Sequence, residues 1–300
     1  MASLQDIKGR IASVQSTLKI TSAMKMVASA KLHKTQNESV AFTGYSSRLS
    51  AMVSTLMAAT AGKVESPLMV PHEGMGRVIV VAMASDMSLC GAFNHNAVRL
   101  LETTVAGLLG KDEEYDSPSH FGSVEIIPVG NKMAVAAAKL GYQVKNDVSS
   151  DDLGGYLIDE YLSGRADKVL LLYHHFLSVG SQKPVCEQLL PFAFEDGAGS
   201  SDASSGAVKA SATFVENSDY IFEPSAEVLL QQVVPYCVKT KVRAAILDNT
   251  LSEHAARMVA MQTATDNAKE LLDELRLNYN KQRQQAITAE LADIASSTLQ

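Results

Sequence analysis

A chain of 300 residues with 46% hydrophobic content is long enough for a substantial core, and its formal net charge is −7. The absence of Trp and the three scattered cysteines, Cys90, Cys186 and Cys237, exclude a tryptophan-anchored core, a disulfide framework and a cysteine-rich zinc cage. No apolar run approaches the roughly 20 residues that span a bilayer, and no short apolar segment with a small-residue cleavage site precedes the first helical pattern, so neither a membrane span nor a secretory signal is predicted.

Every proline lies between Pro67 and Pro235, and no glycine follows Gly206. Proline costs about 3 kcal/mol in a helix interior and glycine about 1. The proline-free ends therefore read as long helices, and at about 1.5 Å per residue the last stretch alone would reach nearly 100 Å. In the first segment Ile7, Ile11, Val14 and Leu18 carry the 4-3-4 spacing of a coiled-coil seam. Ile20, Met24 and Val27 continue at helical spacing with the stripe shifted around the helix. Gly44 is a plausible bend, with helix continuing to about Ala61.

Strands and helices alternate in the middle. Val78 to Ala84 is a continuous apolar run, as expected of a strand covered on both faces. Gly91 to Leu109 reads as helix, Val124 to Val129 as strand, Lys132 to Leu140 as helix, and Tyr142 to Asp147 as a short strand. Leu153 to Leu162 is helical, Asp151-Asp152 looks like its cap, and Val169 to Phe176 and Val185 to Phe192 are strands. This alternation predicts an α/β domain with a mostly parallel sheet. Gly197 to Gly206 reads as a flexible surface loop, and Tyr220-Ile-Phe222 as a last strand before Pro224 opens the terminal helix. There a second seam runs Met258, Met261, Thr265, Ala268, Leu272, Leu275 and Tyr279, extended after a phase change by Ile287, Leu291 and Ile294. Two lone stripes, one at each end of one chain, predict an antiparallel two-helix coiled coil. The expected division is a first shaft helix over 1–66, a Rossmann-like α/β domain over 67–223 and a second shaft helix over 224–300.

Charge is uneven. Residues 1–65 carry eight Lys/Arg against three Asp/Glu, 66–235 ten against twenty-two, and 236–300 eight of each. The basic residues of the first segment, among them Lys8, Arg10, Lys19, Lys25 and Lys31, spread around the helix. That favours a solvated or protein-facing surface over a nucleic-acid groove.

Candidate chemistry is sparse. Ser85-Asp-Met-Ser-Leu-Cys-Gly-Ala-Phe-Asn94 follows the first strand, where α/β sheets form sites. Cys90 could serve there as a nucleophile at a helix N-terminus, with His95 or Asp86 nearby. The plainer reading is a tight turn at Gly91 with Cys90 in the core. No phosphate-binding glycine loop follows a strand. His174 and His175 are adjacent on a strand, so their side chains point to opposite faces and cannot share a metal; one is expected buried and the other exposed. Asp112 to Asp116 reads as a solvated acidic loop. No catalytic, cofactor or metal site is predicted.

Three blocks resemble the γ subunit of F-type rotary ATP synthases. They are Ile11 to Leu32, Ser85 to Asn94, and a third running from Tyr220 to Glu227 through Asp248-Asn-Thr-Leu-Ser-Glu-His-Ala-Ala-Arg-Met258, Ala264 to Ala268 and Tyr279 to Leu291. The resemblance implies a non-catalytic shaft inside a ring of α and β subunits, with an α/β foot on the membrane c-ring and an ε subunit beside it. It implies contacts with the ring at Met24, Lys25, Arg283 and Gln284, and a place on the inner face of a bacterial cytoplasmic membrane, with the matrix side of the mitochondrial inner membrane as alternative. Met87-Ser88 stands where the family usually has a basic residue and glycine, and Gln282 and Gln285 where it has alanine. The segment Glu195 to Ala210 lacks the regulatory cysteines of chloroplast γ subunits. The alternative is a stand-alone α/β enzyme with a coiled-coil arm and Cys90 as nucleophile.

Overall fold

The computed structural model describes residues 4–60, 66–72, 76–109, 121–193 and 222–297. In chain order the elements are α1 (Leu4–Thr60), β1 (Arg77–Met83), α2 (Phe93–Leu108), β2 (Ser123–Val129), α3 (Asn131–Lys139), β3 (Gln143–Val144), α4 (Leu153–Leu162), β4 (Lys168–Ser178), β5 (Ser181–Leu190) and α5 (Ala226–Ser297). They form two compact units, one holding the residues up to Lys31 with those from Arg257, the other Leu32–Ala256.

In the Leu32–Ala256 unit a five-stranded sheet has the order β3-β2-β1-β4-β5. β1, β2, β3 and β4 run parallel, and β5 pairs antiparallel with β4. The sheet is covered on both faces. Val78, Val80, Ala82, Ile126, Leu170 and Leu172 face α2 and α3, packing with Leu101, Val105, Met133 and Ala137. The alternate residues Ile79, Val81, Met83, Val169 and Leu171 pack with Leu157 and Tyr161 of α4, Val53 and Leu56 of α1, and Leu230, Val234, Val238 and Val242 of α5. Strand side chains alternate between faces, so an unbroken apolar run is what a doubly covered strand requires.

Polar groups close the amino edge of this sheet. Arg77 pairs with Glu125 and lies 4.0 Å from Glu160, which Arg165 also grips through two bonds of 3.0 and 3.1 Å. The Asp167 carboxylate accepts the backbone N–H groups of Gly76 and Arg77 at 2.7 and 3.0 Å.

The other unit is an antiparallel helix pair. On α5 the predicted stripe from Met258 to Tyr279 is the protected one, with Met261, Thr265, Ala268 and Leu272 buried. On α1 the stripe does not shift as expected: Ile20 and Val27 are 57% and 56% exposed, whereas Thr21 and Ala28 are 8% and 2% exposed. The heptad phase set by Ile7, Ile11, Val14 and Leu18 simply continues through small and polar residues. The Thr21 and Thr265 hydroxyls meet 2.9 Å apart, and Thr265 also reaches the Met261 carbonyl at 2.7 Å. Each hydroxyl has one proton, so one bonds its partner while the other bonds its own helix.

Counting outward from that pair in opposite directions places Ile7 level with Tyr279. The expected extension through Ile287, Leu291 and Ile294 is therefore not a seam. No described residue of α1 lies opposite them, and Leu291 is 61% exposed. Two further differences concern helix breakers. α1 passes Gly44 without a break, and α5 runs through Pro235, where burial of Leu230, Val234 and Val238 offsets the lost backbone hydrogen bond. Asp152 occupies the N-cap position of α4 but makes no capping bond. The strand expected over Tyr220-Ile-Phe222 and the loop Gly197 to Gly206 lie outside the described residues, Phe222 apart.

Candidate functional site

The strand order places the crossover reversal between β1 and β4, and open α/β sheets bind ligands in the crevice beyond the carboxyl ends of such strands. Here that crevice is built from the turn after β1, the turn after β2, the tail of β4 and residues 248–252 of α5.

Hydrogen bonds within the β1–α2 turn satisfy its polar groups. Ser85 N–H donates to Asn94 Oδ1 at 3.1 Å, and the Ser85 hydroxyl lies 2.6 Å from the Met87 carbonyl and 2.8 Å from the same Oδ1. Asn94 Nδ2 donates to Cys90 Sγ at 3.2 Å. Asp86 accepts the N–H of Asn131 at 3.0 Å, and Lys132 N–H donates to the Ser85 carbonyl at 3.1 Å. Gly130, at φ 97°, lets the β2–α3 turn close against this one: a Cβ there would sit 2.3 Å from the Ala84 carbonyl oxygen. Left-handed backbone falls on Leu89 (φ 69°) and Gly91 (φ 62°), not on Ser88, so a serine at 88 is compatible with the turn.

Cys90 is buried. Its hydrogen-bonding neighbours are Asn94, the Ser85 hydroxyl at 3.6 Å and the Met87 carbonyl at 3.9 Å, none of which is a base at neutral pH. His95 is exposed, and Asp86 is engaged with Asn131. The geometry does not assemble a nucleophile with its base.

His174 and His175 separate as their strand spacing demands. His174 is buried and stacks on Phe93 with ring centroids 4.1 Å apart. Burial pulls its pKa down to about 4, Asn249 opposing, so the ring is neutral at pH 7. Neither ring nitrogen makes a hydrogen bond of good geometry. His175 lies on the other face, its Nδ1 2.5 Å from Asp248 Oδ2, and that hydrogen bond raises its pKa above the usual histidine value. Asp248, Asn249 and Ser252 of α5 thus fill the crevice with the chain's own side chains. Among the described residues, no group of three or more His, Cys, Asp or Glu could hold a metal ion.

The four residues expected to meet a partner lie on the helix pair. Met24 and Lys25 are half-buried on α1; Arg283 and Gln284 are exposed on α5. Lys25 faces Asp266, whose pKa is held below the usual carboxylate value by the Gln262 side chain first, then by Lys269 and Lys25. The pair register sets Lys25 level with Met261, so Arg283 lies about 33 Å further along α5 at 1.5 Å per residue. The structure therefore places them at two separate levels along the helices. Sequence reasoning passed over Asp248, Asn249 and Ser252 as a group. The available signal was polar residues at positions i, i+1 and i+4, interrupting the apolar stripe of a long helix.

The sequence profile of ATP synthase matches residues 3–298. An ATP synthase gamma chain of Bacteroides fragilis is 43% identical over 311 residues, covering 100% of both chains. The chain belongs to the ATP synthase gamma-chain family. A gamma chain of Chlorobaculum parvum is 36% identical over 309 residues, covering 99% of this chain and 98% of its own. In fold, the chain is similar to one in the cryo-EM structure of Euglena gracilis mitochondrial ATP synthase, with TM-score 0.59 and 20% identity, covering 98% and 93% of the two chains. A rotor chain from the same source gives TM-score 0.56 at 19% identity. No described helix is long and apolar enough to cross a membrane.

Proposed function

We propose that this chain is the central rotor shaft of a proton-translocating F-type ATP synthase, coupling proton flow to ATP synthesis at sites in other subunits. The observation that carries this reading is a full-length family match joined to a crevice occupied by the chain's own residues. The exposed Ile20, Met26, Val27 and Leu277 support it, because apolar residues on an already paired helix surface suit a surrounding protein. The chain makes and breaks no bond itself. An asymmetric shaft with different affinities for the conformations of its partners shifts their populations as it turns.

In this reading α and β subunits surround the helix pair, and the α/β unit meets the ε subunit and the c-ring. The chain is peripheral to the cytoplasmic face of a bacterial inner membrane. Met24 and Lys25 meet the ring at one level, and Arg283 and Gln284 at another, where the guanidinium fork suits carboxylates.

Affinity capture of the full chain followed by mass spectrometry tests the assignment: α and β subunits are expected in the same particle. An isolated chain with catalytic activity that disappears in Cys90→Ser would favour the enzyme alternative. Replacing Arg283 and Gln284 by Ala is expected to reduce ATP synthesis more than assembly, and unchanged coupling would remove both from the contact surface.

A further inference from the structure

β1 pairs with β4 only from Lys168 to Leu172, while β4 continues to Ser178 with β5 alone beside it. His174 stands opposite Pro184 of β5, which has no N–H to offer, and the His174 backbone groups are met from the opposite side. There α5 takes the place of a strand. Asn249 Oδ1 accepts the His174 N–H at 3.2 Å, and the Ser252 hydroxyl donates to the His174 carbonyl at 3.0 Å. Asp248 Oδ1 accepts the Phe176 N–H at 3.0 Å, while its other oxygen meets His175. His174, Asn249 and Ser252 are all buried.

These bonds are to strand backbone and largely buried. They differ from the Lys241–Glu187 ion pair of 2.6 Å, which joins α5 to β5 through long, partly exposed side chains. They differ too from the apolar contacts that make up most of the α5 interface in this unit. Leu230, Val234, Val238, Val242 and Ala245 bury apolar surface, which is non-directional and tolerates sliding. Hydrogen bonds do not. A slip of one residue moves α5 by about 1.5 Å and turns it by about 100°, enough to break all four contacts together. They are also close to Ala256, the last residue that α5 contributes to this unit.

The geometry points to Asp248, Asn249 and Ser252 as the joint that fixes the axial and rotational setting of α5 on the sheet, through which torque enters the helix. They are positioning residues, and their role rests on the rotor reading. Under load, apolar packing alone lets α5 creep against β4. The joint holds its angle by anchoring it to backbone groups of a strand embedded in the sheet.

The test uses the complete complex with the full-length chain, in lipid vesicles, measuring ATP hydrolysis and ATP-driven proton uptake on one sample. Asn249→Ala combined with Ser252→Ala is expected to retain hydrolysis while uptake per ATP falls by about threefold or more, the scale on which cutting a contact network changes coupling. Ser252→Thr keeps the hydroxyl and is expected to hold the wild-type ratio. An unchanged ratio in the double variant, or hydrolysis and uptake falling in proportion, overturns the joint. If the double variant fails to assemble, Ser252→Ala and Asp248→Asn are measured singly, and an unchanged ratio in both has the same force. A wild-type complex that hydrolyses ATP without uptake would sink the rotor reading beneath the joint.

Discussion

Helix α5 takes part in both units under opposite conditions. Between Leu230 and Ser252 it is buried on several sides, against the sheet, α4 and α1, and its polar residues 248–252 bond to β4. Beyond Met258 only one stripe is protected, and that stripe includes Thr265 and Ala268. The first stretch has its partners within the chain. The second has one helix for a partner and leaves Val259, Leu271 and Leu277 exposed. The difference separates residues that fix the structure from residues available to another protein.

The sharpest test of that contrast deletes a leucine from each region. Leu157→Ala, in the core beside α5, is expected to destabilise the isolated chain by about 3–5 kcal/mol, and Leu272→Ala in the helix pair by about 2 or less, because solvent relaxes into the narrower seam. Urea unfolding followed by circular dichroism measures both, and equal losses would erase the distinction.

Acid should act on the α/β unit through His174. Its folded pKa of about 4 lies below the ordinary 6.5, so its contribution is complete above pH 6.5 and is lost as pH falls through 4. The loss is on the order of 3 kcal/mol. His175 runs the other way: its pKa is raised, chiefly by the Asp248 hydrogen bond, so that contribution is present below pH 6.5 and fades as pH rises through the raised value. Unfolding curves from pH 3.5 to 8 should show the acid limb flattened in His174→Phe. An unaltered acid limb would show that His174 does not govern it.

A smaller effect is expected in the seam. Replacing Thr21 and Thr265 together by Val should change stability by less than about 1 kcal/mol, since a paired buried polar contact is nearly matched by apolar isosteres. Either single replacement should cost more than the double. A strictly additive double-mutant cycle would show that the two hydroxyls do not interact.

Much of this architecture was legible because it rests on periodic burial. The continuous run Val78 to Ala84 marked a doubly covered strand, and the stripe from Met258 to Tyr279 marked the α5 seam. Thr21 was missed because a polar residue carries no apolar spacing signal, although a heptad continues through it. Ile20 and Val27 misled for the converse reason: they are apolar and exposed. The β4 joint was invisible as such, since hydrogen bonds from Asp248, Asn249 and Ser252 to residues more than 70 positions away obey no local rule. Nor could spacing along either helix separate Lys25 from Arg283 until the pairing register was known.

Rotation itself tests the central claim most directly. With the α/β ring immobilised and a bead fixed to the Leu32–Ala256 unit of the full chain, added ATP should drive sustained unidirectional turning, and the Cys90→Ala chain should turn as the wild type does. ATP hydrolysis by the assembled ring with a stationary bead, or rotation abolished by Cys90→Ala in a fully assembled complex, would contradict the account.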